Sequence, residues 1–132
     1  MTLHTDQDAI ARTREVLRDM KELGKSLIYA TVLTDDGFEV ARYPDAESDG
    51  RYAGMASSLQ ALSEAVATEL AMGTSQFVII EAPAGHLVQL RVPGQDLVVS
   101  ALFDTAETLG KGLVSARLCA EKLSSALALV PS

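Results

Sequence analysis

"QFVIIEAPAGHLVQLRVPGQDLVVSALF", residues 76–103, holds three apolar runs separated by two turn signals. Gln76–Ala82, His86–Val92 and Leu97–Phe103 are each rich in β-branched, aromatic or leucine side chains, and each predicts a strand. Pro83-Ala84-Gly85 and Pro93-Gly94-Gln95-Asp96 are too short to hold a crossover helix, so neighbouring strands must run antiparallel. Phe77 and Ile79 alternate with Val78 and Ile80, which makes the first run apolar on both faces, and "LVVSALF" is mostly apolar on both faces as well. A sheet wet on one side alternates apolar with polar residues, so this sheet is expected to be covered on both sides.

Working outward, the chain supplies the cover. Before the three strands lies a helical stretch from Arg51 to about Met72, closed by Gly73; after them a helix is expected from Leu109 to Leu129, with Leu109, Leu113, Ala116, Ala120, Leu123 and Leu127 on one face. Further upstream, Ser26–Thr34 ("SLIYATVLT") and Phe38–Tyr43 read as two strands joined at Asp36-Gly37, a type I′ hairpin signal. In the first of them Leu27, Tyr29 and Leu33 should point one way and Ile28, Ala30 and Val32 the other. Pro44 to Gly50 reads as a polar, mobile loop. A first helix is expected from Thr5 to about Leu23, with Ile10, Leu17, Met20 and Leu23 recurring at helical spacing, Thr5 or Asp6 as cap and Gly24 as stop; residues 1–4 read as a loose tail. The order α-β-β-α-β-β-β-α defines an α+β domain spanning 1–132, a three-layer sandwich around one five-stranded, mainly antiparallel sheet.

Composition narrows the function. The 132 residues suffice for one core, and the formal charge is −7, with no Lys or Arg between Arg51 and Arg91. Nucleic-acid and anionic-lipid binding need a basic stripe that is missing here. A lone cysteine, Cys119, fits a reducing compartment and a small buried hydrophobe. Apolar runs too short for a membrane span and the lack of a secretory pattern make a soluble, cytoplasmic protein the expectation.

The chemistry of a catalytic or cofactor site is not found. Gly24-Lys25-Ser26 ends like a phosphate-binding loop, but Asp19 stands where the first glycine is needed and a helix precedes it; Gly110-Lys111-Gly112 fails similarly. His4 and His86 have no second ligand at metal-binding spacing, and Asp35 and Asp36 suit a turn better than a cation loop. No nucleophile elbow is present, and the scattered strand aromatics suit a core. No metal, cofactor or catalytic residue is expected.

The one unusual segment is "MASSLQALSEAVATEL", Met55–Leu70, whose only charges are Glu64 and Glu69. On a helical wheel Met55, Leu59, Leu62, Val66 and Leu70 form a stripe, expected to lie on the sheet, with Ser63, Ala56 and Ala67 beside it. The opposite flank holds Ser57, Ser58, Ala61, Ala65 and Thr68, and Gln60 and Glu64 mark a wet pole. Helix propensity alone can explain the alanines. An interface explains them too, because small residues let another backbone come close. The apolar strand that follows, with Phe77 and Ile79, would be hidden in the same two-fold contact. Ser57, Ser58, Ala61, Ala65, Thr68, Phe77 and Ile79 are thus the expected dimer interface, and Gln60 and Glu64 the expected partner surface.

Taken together, the sequence resembles the Roadblock/LC7 domain family. The resemblance rests on the element order, the Asp36-Gly37 turn, the small-residue second helix, the hairpin "FVIIEAPAGHLVQLRV" with Glu81 and Gly85 in an E-x-x-x-G pattern, and "GLVSARL" (112–118) opening the last helix; it covers about residues 8 to 128. It implies a profilin-like sandwich that dimerises by pairing third strands and second helices. It further implies a non-enzymatic homodimer that regulates or scaffolds a small Ras-like GTPase. The other expectations are a structural or sensory module for another protein, such as a kinase or motor component, and a small-molecule-binding domain. The acidic loop 44–50 and the scarcity of basic residues on the second helix depart from the family pattern.

Overall fold

The structure is a computed structural model and describes residues 3–46 and 50–128. Met1 and Thr2 of the expected tail, Glu47, Ser48 and Asp49 of the polar loop, and Leu129 at the expected end of the last helix lie outside the described residues. Eight main elements follow in the expected order: α1 (Gln7–Leu23), β1 (Leu27–Thr34), β2 (Glu39–Tyr43), α2 (Arg51–Glu69), β3 (Val78–Ala82), β4 (Gly85–Arg91), β5 (Leu97–Phe103) and α3 (Leu109–Leu127). Leu3–Thr5, expected to be loose, forms a short 3-10 turn ahead of α1. Asp6 is the cap of α1, its carboxylate accepting from the Ala9 N–H at 2.9 Å, and Thr108 caps α3 through the Lys111 N–H.

The sheet runs β2-β1-β5-β4-β3, with every neighbouring pair antiparallel. The crossover between β2 and β3, which contains α2, carries the chain from one edge of the sheet to the other. That placement leaves β3 paired on one side only, with β4.

Two local expectations fail for identifiable reasons. The β1–β2 connection is not a type I′ turn, which needs positive φ at both central residues. Only Gly37 is left-handed (φ 90°), while the Gly37 N–H returns to Thr34 O at 3.0 Å and the Thr34 N–H donates to Phe38 O at 2.8 Å. This is the three-residue hairpin loop, Asp35-Asp36-Gly37, in which glycine supplies the bulge. The faces of β1 also change phase. Leu27 pairs with Phe103 and Tyr29 with Leu102, so Ile28 is an extra residue. The bulge turns Leu27 into the core with Ala30 and Val32, and leaves Ile28 44% exposed.

The layers are unequal. α1 and α3 bury the main core against one face through Ala9, Val16, Leu17, Met20, Ala116, Cys119, Ala120, Leu123 and Leu127, with Val32, Val88, Val99, Ala101 and Phe103 below. Leu23, expected on the buried face of α1, is 76% exposed; Thr13 and Val16 take the inner positions instead, Thr13 satisfying its hydroxyl on the Ala9 carbonyl at 2.7 Å. On the other face the core under α2 is only Leu33, Ala53, Ala56 and Val98, with Tyr52 against it.

Gly85 and Gly112 set how closely the chain closes around Phe103. A Cβ at Gly85 would stand 2.6 Å from Phe103 O, and one at Gly112 3.2 Å from the Phe103 ring. Gly85→Ala should therefore cost about 1–3 kcal/mol, as overpacking does, read as a lower urea midpoint at unchanged m-value; wild-type stability would show that β4 and β5 can part without loss.

Candidate functional site

Why α2 sits as it does follows from the sheet beneath it. Thr31 on β1, Ser100 on β5 and Gln89 on β4 are direct cross-strand neighbours, and each has no exposed surface. A seam of polar groups therefore crosses the middle of an otherwise apolar face. Buried amides and hydroxyls need partners, since an unmet one costs roughly 1–3 kcal/mol. Thr31 donates to Glu39 Oε2 at 2.6 Å, and Ser100 is hydrogen-bonded to the Tyr52 hydroxyl. Gln89 Nε2 donates to the Ala56 carbonyl at 2.9 Å and to Gln60 Oε1 at 3.2 Å. Reaching a main-chain carbonyl of the helix requires the helix to come close, which only its small residues permit.

The residues of α2 that meet the sheet are accordingly Ala53, Ala56, Gln60 and Ala67. This corrects the expected orientation of the helix. Met55, Leu62, Val66 and Leu70 do not lie on the sheet; they are 61%, 62%, 47% and 64% exposed. Gln60 is no wet pole: it is 3% exposed and bound into the seam. Bulky side chains beneath the helix would lift it from Gln89 and strand the amide, so the stripe is turned away.

Glu64 is committed as well. Arg91 reaches it with Nε at 2.5 Å and Nη2 at 3.1 Å, and places Nη1 2.6 Å from Asp35 on the β1–β2 loop. Gln60 Nε2 donates to the same carboxylate at 3.0 Å. These contacts, the Arg91 hydrogen bond foremost, hold Glu64 below the usual carboxylate range, and Arg91 is held above its own. Ser57 donates to the Asp35 carbonyl at 2.7 Å, so this expected interface residue ties α2 to the hairpin of its own chain. Phe77 turns inward onto the main core with the Arg117 guanidinium 5.1 Å from its ring centre. Ser58, Ala61, Ala65, Thr68 and Ile79 are exposed.

The helix and the sheet edge together make one apolar surface. Met55, Leu59 and Leu62 of α2 line a hollow with Ile80 of β3 and Leu87 of β4. Ile79 and Ile80 on the open edge are 42% and 47% exposed. The sequence reading missed Met55, Leu62, Val66, Ile80 and Leu87 as surface residues. The signal was present in the alternative set Ala53, Ala56, Gln60 and Ala67, spaced as a second helical face whose glutamine matches Gln89.

Catalytic furniture is scarce. Among the described residues no group of three or more His, Cys, Asp or Glu side chains is placed to hold a metal ion. Ser26 of the phosphate-loop lookalike is hydrogen-bonded to Glu107, which stands where a phosphate would be repelled. Burial pushes the Cys119 thiol up to about 12, so it stays protonated and unreactive at neutral pH. Burial likewise raises the hydroxyls of Tyr29 and Tyr52, foremost among their influences. No described helix is long and apolar enough to cross a membrane.

An open five-stranded antiparallel sheet with α1 and α3 on one face and α2 on the other is the profilin-like class of α+β sandwich. The Roadblock/LC7 domain model matches residues 14–92, and the chain belongs to that family. Solved structures agree over nearly the full length. A gliding protein, MglB, from Thermus thermophilus is 20% identical, with TM-score 0.75 over 89% of each chain. Myxococcus xanthus MglB is 12% identical, with TM-score 0.83 over 97% of each chain. A Roadblock/LC7 domain from Streptomyces avermitilis is 15% identical, with TM-score 0.78 over 94% of this chain and 99% of that one. At these identities the likeness is one of fold. No curated protein matches the sequence.

The Glu64–Arg91 bond makes a pH prediction. Glu64 binds its proton less readily folded than unfolded, so its stabilisation is complete above the unfolded value of about 4.3 and is lost as pH falls through the lower folded value. Glu64→Gln should reduce the urea midpoint at neutral pH and show a flatter decline on acidification; parallel curves for the two proteins would show that the pair does not stabilise the fold.

Proposed function

We propose that this protein is a homodimeric, non-enzymatic regulator or scaffold of a small Ras-like GTPase, and that it dimerises through α2 and β3. One observation carries the dimer. The exposed stripe Met55, Leu62 and Val66 runs on into Ile80 and Leu87 and ends at the unpaired backbone edge of β3. An exposed apolar edge strand invites pairing with another chain. A two-fold axis beside β3 would join two sheets and set the two α2 stripes together over the join. Ile79 and the outer positions Ser58, Ala61, Ala65 and Thr68 then lie at the margin of the contact, with the large side chains at its centre. Leu62→Arg or Val66→Arg should yield a folded monomer on sizing columns, while Ala61→Arg should weaken the dimer less. An elution volume unchanged by Leu62→Arg would count against this interface.

The GTPase partner is supported by family membership and by the resemblance set out above. Similarity to structures of MglB from two organisms is consistent with it. Regulation without chemistry suits a site in which Arg91, beside Glu64 of α2, is already bound to two carboxylates. The mode would be to order the partner's own switch segments. The test is recovery of a GTPase with the tagged protein from its native host, followed by nucleotide hydrolysis assays with and without this protein. Reproducible recovery of no GTPase overturns the partner assignment and leaves the dimer standing. Consistent recovery of a kinase or motor component would instead support the scaffold reading.

A further inference from the structure

Glu81, the first residue of the E-x-x-x-G hairpin, stands exposed on β3 and makes no hydrogen bond or salt bridge among the described residues. Gly85, the last residue of that pattern, is accounted for by its close approach to Phe103. The face that Glu81 occupies follows from the register. Gln89 points to α2 and Val78 stands opposite it, so Val78 and Ile80 share the α2 face, while Ile79 and Glu81 share the face of α3. Phe77 lies on that same face, packed on the main core with the Arg117 guanidinium over its ring.

Arg117 is the matching cation. It is exposed on α3 and, among the described residues, makes no salt bridge; its one contact of charge is with the Phe77 ring. Glu121, one turn further on, is not bonded to it and lines a separate hollow with Leu118, Lys122, Ser125 and Ala126. Nor is Glu81 bonded to its cross-strand neighbour His86, whose Nδ1 is buried without a partner. Arg117 cannot serve the Glu81 of its own chain while it lies on Phe77, because four residues of extended backbone separate the two positions by about 13 Å. Cation and carboxylate thus stand at opposite ends of an open edge strand. A two-fold axis that pairs this edge with itself antiparallel brings each end against the other.

We propose that Glu81 and Arg117 bridge the two copies of the dimer, each Glu81 binding the partner's Arg117 on the side of the joined sheet opposite the α2 stripes. This rests on the α2/β3 pairing proposed above and brings α3 into it. A two-fold axis perpendicular to the sheet keeps every residue on its own face, so the numbers of residues that meet across the join have an even sum. With the axis at Ile79, Glu81 stands opposite the partner's Phe77, beside the partner's Arg117. With the axis at Ile80, it stands opposite the partner's Ile79 and diagonal to the partner's Phe77, about 7–8 Å away and within reach of an arginine. Pairings centred beyond these two residues lose both bridges or, centred at Glu81, set carboxylate on carboxylate. The bridges therefore select the register and a like copy as partner. Ile79, at the margin of the α2 contact, lies between them.

Charge reversal in separate chains is the test. Glu81→Arg sets cation on cation across the join, and Arg117→Glu sets carboxylate on carboxylate. Each should raise the dimer dissociation constant at least about tenfold in sedimentation equilibrium, since two exposed bridges are lost and two repulsions gained. Mixed in equal amounts, the two variants should recover most of the affinity as a mixed dimer, because one chain then offers two cations and the other two carboxylates. A bridge within one chain could not be restored by mixing. Native mass spectrometry counts the mixed dimer against the two homodimers, and circular dichroism checks folding. If Arg117→Glu does not fold, Glu81→Gln, Arg117→Gln and the double variant form a cycle whose losses should be less than additive. Homodimers as tight as wild type, a mixed dimer no more abundant than chance, or additive losses in the cycle overturn the bridge. If Leu62→Arg dissolves the wild-type dimer while both reversals leave it intact, the bridge falls and the α2/β3 interface stands. If neither Leu62→Arg nor either reversal weakens the dimer, both fall.

Discussion

The side-chain amide of Gln89 fixes the architecture of the α2 layer. It sits at the centre of the sheet with no exposure and directs both its N–H bonds upward, to the Ala56 carbonyl and to Gln60. A donor buried so deeply has to be met, and the helix meets it with its backbone. Everything else about the layer follows from that approach. Ala53, Ala56 and Ala67 let the helix come close, with Gln60 and Tyr52 reaching into the polar seam beside them. The large apolar side chains are displaced sideways and outward. Arg91, two residues further along β4 on the same face, then reaches Glu64 and Asp35 and fixes the helix to the β1–β2 loop.

The two faces of the sheet are therefore built on different physics. The α1/α3 face is a thick, dry core in which Phe103 and its neighbours are covered by two helices. The α2 face is thin, with a small apolar cluster and a polar seam. Burial of apolar area supplies about 25 cal/mol for each Å² removed from water, so most of the protomer's own hydrophobic stabilisation comes from the first face. The apolar material of α2 remains on the surface, where it is free to contact other molecules.

The fold was legible because its signals are local. Turns such as Pro83-Ala84-Gly85 force antiparallel neighbours, and Leu97–Phe103 and the start of α3 fall where their patterns place them. What was not legible depended on groups far apart in sequence. The orientation of α2 is decided by Gln89, which lies 33 residues beyond Ala56 and 29 beyond Gln60. A wheel places the most hydrophobic stripe inward by default, and here a buried amide overrides it. The phase of β1 depends on Ile28 being spare against Leu102 and Phe103, which no alternation within β1 itself can reveal. The loop Asp35-Asp36-Gly37 carries the expected glycine but a different turn, because one residue of left-handed backbone suffices when a bulge absorbs the twist.

A helix held by a few hydrogen bonds and a handful of alanines draws little hydrophobic stabilisation from its own protomer. Any molecule that covers Met55, Leu62 and Val66 would contribute to the helix's own stability as well as to the complex. Seating and association then become linked equilibria, and the population of well-anchored α2 rises with the concentration of whatever covers it. For such a protein a melting temperature measured at one concentration is a property of the solution as much as of the chain.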